Sequence, residues 1–497
     1  MAITPANFMN LRDGRFDSTS RDDLRRLFTS FTTGGTKHLA VHFHGGLVGE
    51  SSAMAMAERL LPEYQQTSVC HPIFVVWESG LLETIRNNAG EVAKEAFFQK
   101  LLKRVLAFAA GKVLQTAGQK GVSVTPVGNK KVNEELTNVK NGVPSWTELT
   151  DERLGQTSEL SETELEQFRD ILERDAAFMN EAVAISNSVR PPATADKSKG
   201  ATTAVSKATL MSPSVLADIK RERDSAGPGQ TKGLMGAARL VKGGVVVVAK
   251  VIGRFASQRD HGFHATVVEE IFREFYVSAV GREVWGLMKQ DTADAFHEGS
   301  ATFGGSALLE ELAALTPRPR VTLIGHSAGA EYVMNLLANA GRFLAPDFTF
   351  DVILLAPACR TKLFADTLSH FAGRIGDFRC FTMDDAHEKA DQLIKVIYPH
   401  SLLYFISGVL EDGADEPILG MQRYLNGGAA HYQKSETGIP AAKAFLEGGA
   451  NRLFFAVSNA GAGFATDSIS HGGFDDTVAP APRATIDSIR HILKNGF

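Results

Sequence analysis

One serine, Ser327, lies between two glycines in the stretch Gly325-His326-Ser327-Ala328-Gly329. A serine hydroxyl is a useful nucleophile only when a base takes its proton and preorganised donors meet the developing oxyanion. An apolar strand-like run precedes this stretch and a helical pattern follows it. We therefore predict that Ser327 lies on a tight strand-to-helix corner, with the next backbone N–H at a helix N-terminus, where it can hold an anion. The chemistry indicated is nucleophilic attack on a carbonyl.

Six short apolar runs rich in Val, Ile, Leu and Phe predict the strands that position this corner. Helical patterns separate several of the runs and no tight hairpin signal joins them, which is typical of a parallel α/β fold. The runs cover residues 38 to 43, 73 to 77, 320 to 325, 351 to 357, 378 to 383 and 452 to 459. No similar run precedes residue 38, so the sheet is either short at that edge or completed by a degenerate strand from ITPANFMNLRDGRF.

The Gly-x-Ser-x-Gly stretch, with a strand before it and a helix after it, resembles the nucleophile elbow of the α/β-hydrolase superfamily. The resemblance covers residues 35 to 80 and 300 to 497. It implies a mostly parallel sheet of the α/β-hydrolase type and a triad in the chain order serine, acid, histidine. It also implies ester hydrolysis of the esterase or lipase kind, with no metal or organic cofactor.

Within that resemblance, His471 is the candidate base. Only this histidine lies soon after the last predicted strand, in a Gly-rich loop followed by a terminal helix. The six histidines after Ser327 are His370, His387, His400, His431, His471 and His491. Two aspartates of the same loop, Asp475 and Asp476, either position the loop or cap it.

The candidate acid is Asp385, which with Asp384 directly follows a predicted strand. Its role would be to hold the imidazole tautomer and stabilise the imidazolium. Asp385 and Glu388 also form a capping-box pattern, so a structural role stays open. Asp384 is the alternative acid, and Glu411 or Asp412 are later ones.

An oxyanion loop is indicated by His44, Gly45 and Gly46, which follow the first strong strand and resemble the His-Gly-Gly motif of lipases and esterases. Glycines there let backbone N–H groups approach the substrate oxygen. The expected donors are the amide of Gly46 or Leu47 together with that of Ala328.

His42 and His44 share one face of a predicted strand, a spacing that some metal sites use. No further Asp or His follows them closely, so we predict no metal site. His44 is expected to brace the oxyanion loop instead. Glu78 and Ser79, at the end of another predicted strand, are expected either to line the pocket or to be a solvated strand end.

The middle of the chain lacks a convincing strand series and shows several helical patterns. We predict a first core part over residues 1 to 80, a helical cap over 81 to 300 and a second core part over 301 to 497. Inside the cap, residues 185 to 232 are rich in Ser, Thr, Ala, Pro and Gly, which predicts a mobile loop or linker.

Residues 237 to 255 are the candidate membrane feature. Lys242 and Lys250 interrupt the apolar stretch, which is too short to cross a bilayer. If helical, the segment carries Arg239, Lys242, Lys250 and Arg254 on one side and valines on the other. Packing against the protein is favoured, with peripheral membrane contact as the alternative.

Composition sets the remaining limits. The chain has 497 residues, 52 basic and 57 acidic, which gives no general attraction to nucleic acid. The N-terminus lacks the make-up of a secretory signal, and the cysteines Cys70, Cys359 and Cys380 read as buried free thiols, so a cytoplasmic location is expected.

The expected activity is hydrolysis of a carboxylic ester or lipid-like acyl ester by a serine hydrolase with a Ser327–Asp385–His471 triad. A thioesterase or peptidase would use the same residues. A non-catalytic ligand-binding or docking protein on the same scaffold is the alternative of a different class.

Overall fold

The computed structural model describes the chain except residues 1–2, 5, 46–48, 67–69, 78–80, 116–122, 190–208, 228–230, 396, 426–429, 450 and 478–482. Side chains are also left undescribed at 81–84 and 430–431. The predicted pocket residues Glu78 and Ser79 and the predicted oxyanion residues Gly46 and Leu47 therefore lie outside the described residues.

The described strands form one eight-stranded sheet in the order β2-β1-β4-β3-β5-β6-β7-β8. Every neighbouring pair is parallel except β1 and β2, which are antiparallel. The strands are β1 (Phe8–Arg12), β2 (Arg15–Phe16), β3 (His38–Phe43), β4 (His71–Trp77), β5 (Arg320–His326), β6 (Phe350–Leu355), β7 (Ile375–Met383) and β8 (Leu453–Ala456). The predicted α/β class with a mostly parallel sheet is confirmed.

The six predicted runs all overlap strands, β3 to β8. They are continuous apolar segments because parallel strands are covered on both faces. At the other edge, the ITPANFMNLRDGRF stretch supplies β1 and β2, so a strand from this stretch completes the sheet there. In β1, Met9 and Leu11 are buried, and so is the polar Asn10 between them.

Helices surround the sheet and fill the chain between β4 and β5, where the described residues form helices and no strand. Those of this long insertion are Leu81–Val92, Ala96–Leu114, Asn129–Lys140, Asp151–Gly155, Glu162–Arg174, Ala176–Ser188, Pro213–Asp224, Lys232–Ala256, Phe263–Ile271, Arg282–Asp294 and Gly304–Ala314, with a π-helical turn at Phe272–Tyr276. Elsewhere they are Arg21–Thr33, Glu50–Gln65, Gly329–Ala340, Thr361–Phe371, Asp385–Ala390, Leu402–Phe405, Gln422–Leu425, Ile439–Glu447 and Ala484–Asn495, with a second π-helical turn at Ile406–Leu410.

The helix Lys232–Ala256 lies inside the insertion and contacts four of its other helices closely. A Cβ added at Gly243 would lie 2.5 Å from the Phe275 ring, and one at Gly244 would lie 2.7 Å from Leu172. Its valine-rich face is therefore covered by protein rather than presented to lipid. No helix in the described ranges is long and apolar enough to cross a membrane.

The loop predicted over 185 to 232 is wrong in part, since Pro213–Asp224 is a helix. Pro213 stands at its first position, where a missing N–H costs nothing, and Val215 and Ile219 are buried four residues apart. Residues 190–208 and 228–230 of this stretch lie outside the described residues. The cysteines Cys70, Cys359 and Cys380 are free and buried.

Candidate active site

Ser327 stands at the corner between β5 and the helix Gly329–Ala340. Its φ is 53°, in the left-handed region that a serine rarely adopts. Two main-chain hydrogen bonds, one to the end of β6 and one to the segment after it, hold it there: Ser327 N–H donates to Leu355 O at 2.8 Å, and Ala358 N–H donates to Ser327 O at 3.0 Å. The sheet therefore supports a strained backbone at this residue, as functional sites often do.

The two glycines flanking Ser327 are required by close approach. A Cβ at Gly329 would lie 2.2 Å from the carbonyl oxygen of Phe43, and one at Gly325 would lie 2.9 Å from the carbonyl oxygen of Gly329. Both distances are shorter than any real carbon contact. The Gly-x-Ser-x-Gly pattern is thus explained by packing between β3, β5 and the following helix.

His471 faces the serine hydroxyl. Its Nε2 lies 2.8 Å from Ser327 Oγ, although the two residues are 144 positions apart in the chain. Both are buried, with Ser327 0% and His471 6% exposed. Burial and the nearby charge of His326 lower the pKa of His471 to about 3, so its ring is neutral and able to accept a proton.

The main chain of His471 is held on both sides. Its N–H donates to Asp391 Oδ2 at 2.9 Å, and its carbonyl oxygen accepts from His326 Nε2 at 3.0 Å. Its ring Nδ1, in contrast, is buried without a hydrogen-bond partner among the described residues. No acceptor in that part of the chain therefore orients the ring from this nitrogen.

The structure does not bring the favoured acid, Asp385, to His471. The Asp385 carboxylate accepts from Tyr404 Oη and pairs with Lys389 Nζ at 2.9 Å. Asp384 instead caps the helix Asp385–Ala390, accepting from His387 N at 2.8 Å. An aspartate therefore caps this helix, as the capping-box pattern predicts, but the capping residue is Asp384 rather than Asp385.

The later acids are not brought to His471 either. Glu411 is buried and accepts from Trp285 Nε1 at 2.7 Å and from Lys289 Nζ at 2.7 Å. Asp412 is 97% exposed beside Arg282. Both carboxylates belong to a contact between the insertion and the segment after β7.

Two other carboxylates stand near His471. Asp391 binds its N–H, as above, and Asp475 Oδ2 lies 2.8 Å from Nδ1 of His326. Asp391 follows the helix after β7, and the sequence offers no signal for it beyond its place after a strand. The sequence predicts for Asp475 only a role in positioning or capping the His471 loop. Its contact with His326 is visible only in the folded structure.

The predicted oxyanion loop approaches the serine. A Cβ at Gly45 would lie 3.2 Å from Cβ of Ser327, so this glycine leaves room beside the nucleophile. On the other side, the N–H of Ala328 makes no hydrogen bond within the described chain and lies at the start of the helix Gly329–Ala340. An oxyanion at this point would meet an unpaired donor and a helix N-terminus.

His44 braces the turn that carries Gly45. Trp77 N–H donates to His44 Nε2 at 3.1 Å, which leaves the proton on Nδ1 to donate to Gly45 O at 2.7 Å. Burial lowers the pKa of His44 to about 4, consistent with a neutral ring. His42, two residues earlier, bonds Tyr64 Oη through Nδ1 at 2.9 Å.

His42 and His44 do not converge on a common point where an ion could sit, since their ring nitrogens have different protein partners. Among the described residues no group of three or more His, Cys, Asp or Glu side chains is arranged to hold a metal ion. The site as described is made of a serine, a histidine and main-chain amides.

Comparisons with known proteins give no relative. No protein-family model, curated protein or solved structure matches the chain. The function must therefore be inferred from the geometry of this corner.

Proposed function

We propose that this protein is a serine hydrolase of the α/β-hydrolase type that cleaves carboxylic esters or lipid-like acyl esters. The observation that carries the proposal is the 2.8 Å contact between His471 Nε2 and Ser327 Oγ, made at a strained strand-to-helix corner. A base within hydrogen-bond reach of a serine hydroxyl is the geometric requirement for nucleophilic catalysis.

The reaction would proceed in two steps. Ser327 Oγ attacks the ester carbonyl carbon as its proton passes to His471 Nε2, which forms a tetrahedral oxyanion. The C–O bond to the alcohol then breaks, and His471 returns the proton to the leaving oxygen. Water, deprotonated by the same nitrogen, then attacks the acyl-serine; the acyl C–Oγ bond breaks, His471 returns that proton to Ser327 Oγ, and the carboxylic acid is released.

The oxyanion would be held by the Ala328 amide, with the second donor from the loop that begins at Gly45. The unpaired Ala328 N–H supports this assignment because it is already fixed in place by the helix and needs no reorganisation. The braced Gly45 turn supports the second donor, for which Gly46 and Leu47 are the candidates.

Asp385 is not assigned a part in this mechanism, because its carboxylate is engaged by Tyr404 and Lys389. The His471 ring is neutral at pH 7, which is the state in which Nε2 can accept the Ser327 proton. The three free buried thiols support a reducing, cytoplasmic location.

The preference for an ester rests on the sequence resemblance to esterases and lipases. A thioesterase or peptidase would use the same serine and histidine. A ligand-binding protein would not require either residue to be reactive. The helical insertion between β4 and β5 supplies several of the helices around the core and is the natural source of substrate selectivity.

The test is covalent labelling with a small fluorophosphonate, followed by intact mass. Because Ser327 is fully covered, a small reagent should be compared with a bulky one. We expect one adduct on the wild type, none on Ser327→Ala, and strong slowing on His471→Ala. An ester and thioester panel then ranks the substrate classes by kcat/KM.

Ser306→Ala is the matched control, since Ser306 is also buried but donates to the carbonyl oxygen of His297 rather than facing a base. It should label like the wild type. A folded wild type that resists even the small reagent, or an adduct that persists in Ser327→Ala, would refute the proposal in favour of the binding-protein alternative.

A further inference from the structure

The residue before the nucleophile, His326, has contacts that a simple strand-end residue would not need. It is buried at the end of β5, with Nδ1 2.8 Å from Asp475 Oδ2 and Nε2 3.0 Å from the carbonyl oxygen of His471. A carboxylate and a carbonyl oxygen both accept hydrogen bonds. Both ring nitrogens of His326 must therefore carry hydrogen, which makes the ring an imidazolium paired with a carboxylate.

The charges around this pair agree with that assignment. Burial alone would lower the pKa of His326, but the charge and hydrogen bond of Asp475 outweigh burial and raise it. Burial alone would raise the pKa of Asp475, but the charge and hydrogen bond of His326 hold it well below its usual range. On the neighbouring strand, His42 Nε2 lies 3.7 Å from Asp475 Oδ2, and burial lowers the pKa of His42, so it is neutral.

His471 is thus held at both ends of its backbone but at only one nitrogen of its ring. Its carbonyl oxygen is bound by His326, its N–H by Asp391 and its Nε2 faces Ser327, whereas Nδ1 has no partner among the described residues. The His326 and His471 rings lie nearly parallel, with centroids 5.5 Å apart. Since no carboxylate binds Nδ1 within the described chain, the direction of the ring depends on main-chain anchoring, on this packing and on the contact with Ser327.

We propose that His326 and Asp475 form a charged clamp that positions His471 through its main-chain carbonyl and so points Nε2 at Ser327. Both are positioning residues, because neither contacts the reacting atoms. This inference rests on the proposed function, yet it assigns to two residues of β5 and the His471 loop the orienting task that Asp385 was expected to perform.

The clamp also contributes, after burial, to the low pKa of the base. The groups facing His471 are His326 from β5, Asp475 from its own loop, Arg86 from the helix Leu81–Val92, and Asp391 after the helix Asp385–Ala390. Burial is the largest cause of the low pKa of His471, and the charge of His326 is the second. Removing that charge should raise the pKa of His471 toward its ordinary value, which a purely structural residue would not do.

The test compares His326→Gln, Asp475→Asn and the double variant by fluorophosphonate labelling across pH. In each single variant a buried charge loses its partner and the clamp is broken, so labelling at pH 8 should fall on the order of 10²-fold. In the double variant a Gln N–H can still donate to the His471 carbonyl oxygen, and the Asn amide can still donate to the Gln oxygen. We expect most of the rate to return while the acid limb of the profile moves to higher pH.

His297→Gln is the matched control, because His297 Nε2 also lies 2.8 Å from an aspartate, Asp294, but at the surface. It should change neither rate nor profile. A His326→Gln variant that labels at the wild-type rate with an unchanged acid limb overturns the clamp. A double variant as slow as the product of the two single losses also overturns it, since the residues would then act independently.

NMR signals of the histidine ring nitrogens, recorded on protein labelled with ¹⁵N-histidine, test the clamp without relying on activity. The clamp requires one histidine with both ring nitrogens protonated at pH 7, whose signal is lost in His326→Gln and shifts in Asp475→Asn. If the wild type does not react with the fluorophosphonate, the proposed function fails while these signals still decide the clamp. If no such doubly protonated signal depends on His326, the clamp fails whatever the labelling shows.

Discussion

Two buried histidines, His261 and His471, have opposite surroundings. His261 Nδ1 lies 2.8 Å from Glu269 and its Nε2 lies 3.2 Å from Asp415, so a carboxylate faces each nitrogen. Arg254 pairs with the same Glu269 at 2.8 Å. His471 has a serine hydroxyl on one nitrogen and no partner on the other.

The difference separates a charged network from the candidate active site. Around His261 each charge meets an opposite charge, and the network joins the insertion to the segment after β7. Charges compensated in this way stabilise one arrangement, although Arg254 Nη2 and Glu269 Oε2 make no hydrogen bond within the described chain. At the corner of β5, His471 Nδ1 and the Ala328 N–H have no hydrogen-bond partner among the described residues, and both lie beside the serine. A serine hydroxyl facing a neutral histidine ring therefore distinguishes the candidate active site from the network.

The largest effect should come from His471→Ala. Removing the base should slow fluorophosphonate labelling and ester hydrolysis by about 10³-fold or more, because the serine then has no proton acceptor. The free energy of unfolding should change little, since the lost ring has an unsatisfied nitrogen. Urea denaturation and initial rates measure both quantities. If this variant lost as much free energy of unfolding as it lost activation free energy for labelling, the distinction between the two regions would not hold.

Glu269→Gln should show the reverse pattern. It removes one of the two buried carboxylates that face each of Arg254 and His261, which keep Glu270 and Asp415, and should lower the free energy of unfolding by about 1–3 kcal/mol. The folded variant should label at the wild-type rate. Asp170→Asn, at an exposed pair with Arg174, is the control and should leave stability nearly unchanged.

The same network has a defined pH dependence. Burial would raise the pKa of Glu269, but His261 and Arg254 lower it from 4.5 to about 2. Its contribution to stability is thus present above the unfolded value and is lost as the pH falls through the folded value. The stability gap between wild type and Glu269→Gln should narrow below pH 4.5, and a constant gap would contradict the ion-pair interpretation.

Glu331 lies one helical turn after Ser327, and its effect on the pH dependence of stability should have the opposite sign. Burial raises its pKa to about 7, with the charge of Lys289 opposing and that of Glu411 assisting. The folded protein therefore holds this proton at a pH where the unfolded chain has lost it, so stability falls as the pH rises from 4.5 through 7. Glu331→Gln should be more stable than the wild type at pH 8, by about 1–3 kcal/mol, and similar at pH 4. Urea midpoints at both pH values test this.

The smallest effect should come from Asp384→Ala. It removes the N-cap of the helix Asp385–Ala390 and should cost ~1 kcal/mol. Labelling should stay at the wild-type rate, because the Asp384 carboxylate bonds His387 rather than His471. A large loss of labelling would return Asp384 to the list of candidate acids.

The secondary-structure elements and the candidate pair of Ser327 and His471 could be predicted from the sequence to different degrees. The six apolar runs predicted β3 to β8 because a parallel strand is apolar on both faces over a short, bounded length. Ser327 and His471 were indicated by local patterns and by chain order. The helix Pro213–Asp224 was missed because the composition of the surrounding stretch outweighed the spacing of two buried residues.

The residues proposed to orient His471 could not be predicted from the sequence, for a different reason. Asp385 follows β7 and Asp475 follows the turn His471–Phe474, and nothing local distinguishes the aspartate that binds Tyr404 from the one that binds His326. Which carboxylate faces which ring depends on how two distant loops fold over the sheet edge.

The sequence by itself determined the parts that are local. Glycines on either side of Ser327, a strand before it and a helix after it are sufficient to predict the strained corner, because only glycine tolerates the close approach of β3. Only the tertiary structure decided how His471 is oriented. Its carbonyl oxygen, its N–H and its ring contact residues 145, 80 and 144 positions away, and such contacts form only when the chain is packed.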